Sequence, residues 1–128
     1  MQYLIDSHTF LWFGTEDNLL PDGVRDIISD PANEIRISIA SFWEIGIKYS
    51  LGKLPLKVNV LGLEQQALDL DIAIVPITTS SIHQMTLLPM HHRDPFDRII
   101  IATALIGGET ILSADAQFDA YGVARVWD

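Results

Sequence analysis

Short runs of aliphatic and β-branched residues alternate with helix-periodic segments along this chain, and that alternation limits its fold more than any other feature. QYLI (2–5), IRISI (35–39), IAIVPI (72–77), TILS (110–113) and VARVW (123–127) read as strands, because such residues suit a buried pleated surface. Pro76 marks the third as short or at an edge, since proline cannot donate to a ladder. Between them lie SHTFLWF (7–13), with Ser7 as cap, and a helix opening at Pro21 and stopping before Pro31. ASFWEIGIKYSLG (40–52) follows, where Ser41 and Glu44 have capping-box spacing. Further helices are expected over residues 60–70, over SSIHQMTLL (80–88) behind Thr79 or Ser80, and over FDRIIIATALIGG (96–108) behind Pro95. ADAQFDAYG (114–122) reads as a short helix with a glycine stop. Strands and helices in alternation predict an α/β fold with a mostly parallel sheet.

Such sheets bind ligands beyond the carboxyl ends of their strands. Four acids belong to that edge. Asp6 follows the first strand, and Glu44 lies on the first turn expected after the second. Asp97 lies on the first turn of the helix that feeds the fourth strand, and Asp115 follows that strand. Each alone also suits a helix cap or a helix-dipole partner. Together, four carboxylates repel and raise one another's pKa values unless a divalent cation removes the penalty. Magnesium and manganese accept such oxygen ligands, and held by carboxylates they serve phosphodiester hydrolysis. Asp6 and Asp97 are the expected principal ligands. Asp115 would bind the ion or hold a water on it, and Glu44 would complete the shell or orient the attacking water.

Neighbouring residues have plainer roles. Asp94 precedes Pro95 and suits an N-cap. Arg98 would pair with an acid, contact phosphate, or form an exposed salt bridge. His91 and His92 are adjacent and match no strong zinc spacing, so an oxygen-ligated ion is favoured. Ser7 and Ser113 flank acids and can bond a carboxylate or a metal water. Lys48 and Lys53 suit surface solubility or a phosphate backbone. Trp12, Trp43, Trp127 and Phe42 suit a core or a subunit interface. No phosphate-binding glycine loop is present, because GGET lacks the following Lys-Ser/Thr.

A chain of 128 residues with 48% hydrophobic content is long enough for one domain with a sizeable core. Its formal net charge of -9 opposes nonspecific nucleic-acid binding through a broad basic face, but not a metal-dependent nuclease. A basic protein partner would suit it. With no cysteine, disulfide frameworks and thiolate metal sites are excluded. No basic leader and no membrane-length apolar run is visible, so a cytoplasmic protein without membrane contact is expected.

Four blocks, in order, carry a resemblance that covers Tyr3 to Trp127. They are YLIDSHTFLW, SIASFWEIGIKYSLGKL, HHRDPFDRIIIATA and TILSADAQFDAYGV. The chain resembles PIN-domain ribonucleases of the VapC type, the toxin half of type II toxin–antitoxin pairs, in the branch containing DPFDR. The resemblance aligns the family's acids with Asp6, Glu44, Asp97 and Asp115. Ser7 and Ser113 stand where threonine is frequent and retain the hydroxyl. It implies residues 1–128 as one PIN-like three-layer α/β/α domain with a central five-stranded parallel sheet. It also implies Mg2+-dependent or Mn2+-dependent RNA cleavage, commonly a homodimer, and a cognate antitoxin whose tail enters the active-site groove. A PIN nuclease of RNA processing or of structured DNA is the alternative enzyme, and a noncatalytic protein-binding module the alternative outside enzymes. A phosphotransfer receiver-like domain fits poorly, because residues 113–128 contain Arg125 but no lysine.

Overall fold

The computed structural model describes residues 1–128 and places a strand at each of the five expected runs, the second shifted by one residue to begin at Glu34. These are β1 (Gln2–Ile5), β2 (Glu34–Ser38), β3 (Ala73–Val75), β4 (Thr110–Leu112) and β5 (Arg125–Val126). They form one sheet in the order β3-β2-β1-β4-β5. Every neighbouring pair is parallel, with Ile5 opposite both Ile37 and Leu112. β3 has three residues, lies at an edge and stops before Pro76, as the missing donor requires.

Six helices connect the strands: α1 (Ser7–Gly14), α2 (Asp22–Ser29), α3 (Ile39–Ser50), α4 (Val60–Asp69), α5 (Thr79–Thr86) and α6 (Pro95–Gly107). Successive strand side chains point to opposite faces, so β1 needs cover on both. Tyr3 and Ile5 face one cluster with Phe10, Val24, Phe42, Ile45 and Leu63. Leu4 faces another with Ile100, Ile101, Ala104 and Phe118. Helices α1 to α4 thus cover one face and α6 the other, with α5 packed on α6. The result is a three-layer α/β/α fold with a central five-stranded parallel sheet.

Four local expectations need correction. Helix α3 begins at Ile39 rather than behind Ser41, because Ser38, the last residue of β2, accepts from the Ala40 amide and caps it. The capping box expected of Ser41 and Glu44 is therefore absent, and the Ser41 hydroxyl is buried without a partner. The cap of α5 is Thr78, in a capping box with Ser81. The last helical segment is a 3₁₀ helix, Ala116–Tyr121, closed by Gly122 with φ 73°. Helix α1 is capped by Asp6 rather than Ser7, because the Asp6 carboxylate accepts from the Thr9 amide and Ser7 is already the first helical residue. At α6 the signals act as read: Asp94 caps it, Pro95 opens it, and Gly108 ends it in the left-handed region.

One buried charge lies at the amino end of β4, away from the acid edge. Glu109 is buried, and Arg36 Nη1 approaches its Oε1 to 3.1 Å. Burial pushes the Glu109 carboxyl up, and Arg36 pulls it down. Removing the cation should be costly, because it leaves an uncompensated charge in the interior. Arg36→Met is expected to destabilise by about 2–3 kcal/mol, less than a fully buried pair because Arg36 is partly solvated. Urea melts should show this, with most of the loss recovered in Arg36→Met/Glu109→Met. An unchanged midpoint would mean that Glu109 does not need the ion pair.

Candidate metal centre

β1 delivers Asp6 to the carboxyl edge of the sheet between its two neighbours. Asp6 is 9% exposed and serves as N-cap of α1. Its Oδ1 accepts from the Thr9 amide at 3.0 Å and the Thr9 hydroxyl at 2.6 Å. Its Oδ2 accepts from the Ser113 hydroxyl. Ser113 in turn accepts from the Asp115 amide at 3.0 Å. One hydroxyl therefore ties the ends of β1 and β4 together and carries the network from Asp6 to Asp115.

Asp115 caps the 3₁₀ helix, its Oδ1 accepting from the Gln117 amide at 2.9 Å. Its Oδ2 lies 3.9 Å from His92 Nε2. That same nitrogen lies 2.7 Å from Asp97 Oδ2, in a hydrogen bond. Ligand atoms of His92, Asp97 and Asp115 all lie within 4.8 Å of one another. The sequence placed two of these three at the site. It missed His92, which stands five residues before Asp97 in a loop and matches no ligand spacing. The only cue was its position just ahead of the Asp94 cap, at the helix end that carries Asp97.

Glu44 reaches this edge from α3, one turn later than the capping-box reading implied. Its Oε1 accepts from the Ser7 hydroxyl at 2.6 Å, and its Oε2 accepts from Lys48 Nζ at 3.2 Å. Asp6 and Glu44 stand outside the close trio. Asp6 joins it through Ser113, and the charge of Glu44 acts on Asp97.

Asp97 records the electrostatics of the whole edge. Its carboxyl is pushed up to about 7 from 3.8, first by burial and then by the charge of Asp94. Glu44 adds to the rise, while the hydrogen bond and charge of His92 oppose it. A carboxylate that holds a proton near neutrality lies in surroundings short of positive charge. Two carboxylates and one imidazole nitrogen are donors that a divalent cation accepts. The oxygen majority keeps the set suited to Mg2+ or Mn2+, while the imidazole brings zinc closer than the residue spacing suggested.

The remaining expectations divide. Asp94 is the cap of α6, with Oδ1 accepting from Phe96 at 2.8 Å and Asp97 at 3.3 Å. Arg98 is buried and pairs with no acid, so neither an acid partner nor an exposed salt bridge is its role; its guanidinium faces backbone carbonyls instead. Lys48 pairs with Glu44. Phe42 is in the core, and Trp12 packs on Trp127 with ring centroids 5.8 Å apart. Trp43 is 62% exposed and meets Phe96 edge-on at 5.2 Å, so it is not a core residue of this chain. A groove of about 760 Å³ between α1 and α4 is lined by none of the four acids.

Comparison with known proteins agrees with this geometry. Residues 3–124 match the family described as PIN domain. The chain is 28% identical over 128 residues, 97% of each chain, to Ribonuclease VapC22 of Mycobacterium tuberculosis. Among solved structures, VapBC2 from Rickettsia felis, bound to a promoter DNA fragment, is similar with a TM-score of 0.72 at 16% identity, over 100% of both chains. VapC20 of Mycobacterium tuberculosis, a sarcin-ricin loop cleaving toxin, is similar with a TM-score of 0.66 at 15% identity, over 98% of this chain and 99% of that one. At such identities the likeness to solved structures speaks for the fold.

Proposed function

The chain belongs to the PIN-domain family and is related to VapC-type toxins, and on that premise we propose that it is a divalent-metal-dependent endoribonuclease, the toxin of a toxin–antitoxin pair. The whole chain, residues 1–128, acts as one PIN-like domain. One observation carries the reading: His92, Asp97 and Asp115 converge at the carboxyl edge of a parallel sheet, where Asp97 is short of positive charge.

His92, Asp97 and Asp115 would hold the ion, with Asp6 joined to them through Ser113 and Glu44 completing the acid set. When bound, Mg2+ or Mn2+ would supply positive charge for the phosphoryl oxygens and acidify water. The protein's own groups do the positioning. The Thr9 and Ser113 hydroxyls fix both oxygens of Asp6, so its orientation costs nothing at the moment of reaction. Ser7 and Lys48 fix Glu44, which would complete the shell or orient the attacking water. Water adds to the phosphorus of an RNA phosphodiester, the bond to the leaving ribose oxygen breaks, and that oxygen takes a proton.

The net charge of -9 makes the antitoxin the expected basic partner, its tail entering the acidic groove and blocking it. Trp43, Tyr49 and Leu51 on and beside α3 leave apolar surface for an antitoxin or a second copy in a homodimer. No helix is long and apolar enough to cross a membrane, and we place the protein's action on RNA in the cytoplasm.

Labelled total RNA, incubated with antitoxin-free protein and Mg2+ or Mn2+, should give discrete products that a chelator abolishes. Cleavage of structured DNA alone would redirect the reading to another PIN nuclease activity. Absence of hydrolysis by folded protein on either polymer would favour a noncatalytic binding module.

A further inference from the structure

Asp97 and Asp115 stand on different elements, and like charges this close push apart. His92, which lies between them, belongs to a loop with no regular structure of its own. Some other group must hold that loop in place.

Arg98 has the position and the contacts to do so. It is 8% exposed, yet it has no carboxylate partner in a chain with 17 acids. Its Nη1 donates to the carbonyls of Pro89 at 3.0 Å and His92 at 3.4 Å, and to the Tyr121 hydroxyl at 3.4 Å. Its Nη2 donates to the carbonyls of Met85 at 3.1 Å and Leu88 at 3.4 Å. Desolvating a guanidinium is expensive unless its donors are satisfied. Met85 closes the last turn of α5, where the helix dipole is negative and a cation is welcome. One side chain therefore gathers the Met85–His92 segment by its backbone. Tyr121 completes the grip, its oxygen accepting from the His92 amide at 2.6 Å. The His92 backbone is thus held at both its N–H and its carbonyl. Arg98 follows Asp97 on α6, and Tyr121 ends the 3₁₀ helix that Asp115 caps. The grip spans the two elements that carry the carboxylates.

We propose that Arg98, assisted by Tyr121, is the positioning residue of the metal centre: it pins the loop by its carbonyls and so fixes His92 between Asp97 and Asp115. The role rests on the reading of this centre as a metal-dependent ribonuclease site, and deepens it. It is not a phosphate contact, because the side chain is buried and both Nη atoms are engaged by backbone carbonyls. Lysine cannot replace it, since a point charge cannot fork across several carbonyls.

The test uses the full, antitoxin-free chain with three variants: Arg98→Ala, Arg98→Lys and Tyr121→Phe. Mn2+ affinity is measured by calorimetry, the His92 ring by nitrogen NMR, and RNA cleavage by product formation. Arg98→Ala should weaken Mn2+ binding and slow cleavage by roughly 10–100-fold, as loss of support behind a ligand does, and should shift the His92 ring signals. Methylguanidinium at millimolar concentration should restore both, while equal urea should not. Arg98→Lys should remain impaired, and Tyr121→Phe should move the same readouts less. Should Arg98→Ala not fold, Arg98→Lys and Tyr121→Phe decide by the same readouts. Wild-type Mn2+ affinity and unshifted His92 signals in the folded variants, with only a lower melting temperature, would overturn the proposal and leave the nuclease reading intact. An inactive wild type would overturn the nuclease reading, while Mn2+ affinity and the His92 signals would still judge the clamp.

Discussion

Asp97→Asn should lose RNA cleavage by roughly 10²–10³-fold or more, since a charged ligand and its electrostatic stabilisation vanish together. The same protein should melt at a higher temperature than wild type at pH 7.5 in chelator. The raised carboxyl value, about 7 against 3.8, means that the folded state resists ionising Asp97. At ~1.4 kcal/mol per pH unit, the upper bound on that resistance is a few kcal/mol. Asparagine removes it and gives up only about 0.3–1 kcal/mol of helix-dipole stabilisation at the start of α6. Activity and stability should therefore move in opposite directions. Full activity in the variant would remove Asp97 from the centre. A lower melting temperature would show that its charge does not strain the apo fold.

Metal affinity should tighten roughly tenfold between pH 6 and pH 8, because the ion binds the ionised form of a group with a pKa near 7. Binding at pH 7 should release protons, detectable as a dependence of the calorimetric heat on buffer ionisation enthalpy. Stability without metal should run the other way. The folded value of Asp97 lies above the unfolded one, so between about pH 4 and pH 7 the folded state binds more protons. Its contribution is full below the unfolded value and falls away as pH rises through the folded value. Chelated protein should thus lose stability from pH 5 to pH 8, and saturating Mn2+ should return it. Affinity independent of pH across that range would show that Asp97 is not a ligand.

Most of the fold was legible because each strand is a short apolar run between sharp stops. Pro76, Pro95, Gly108 and Gly122 act where they stand, through missing donors or left-handed backbone. Ser41 misled because Ser38, still in the ladder of β2, caps α3 directly. The edge that carries the four acids was legible because parallel topology gives each strand end an address. Their supports were not. Ser7 meets Glu44 across 37 positions and Ser113 meets Asp6 across 107, and no periodicity encodes such pairings. His92 was the least legible, because a loop residue has no phase. Its backbone carbonyl meets a buried guanidinium that read, in sequence, as an acid partner, a phosphate contact or a surface salt bridge.

Both margins of the sheet are short: β3 has three residues and β5 has two. Neither offers enough free amides and carbonyls to template another strand. Copies of this chain therefore cannot zip into a continuous sheet, and self-association must proceed through helical faces. On the proposed reading, loss of an inhibiting partner would release a monomer or a discrete assembly rather than a growing fibre.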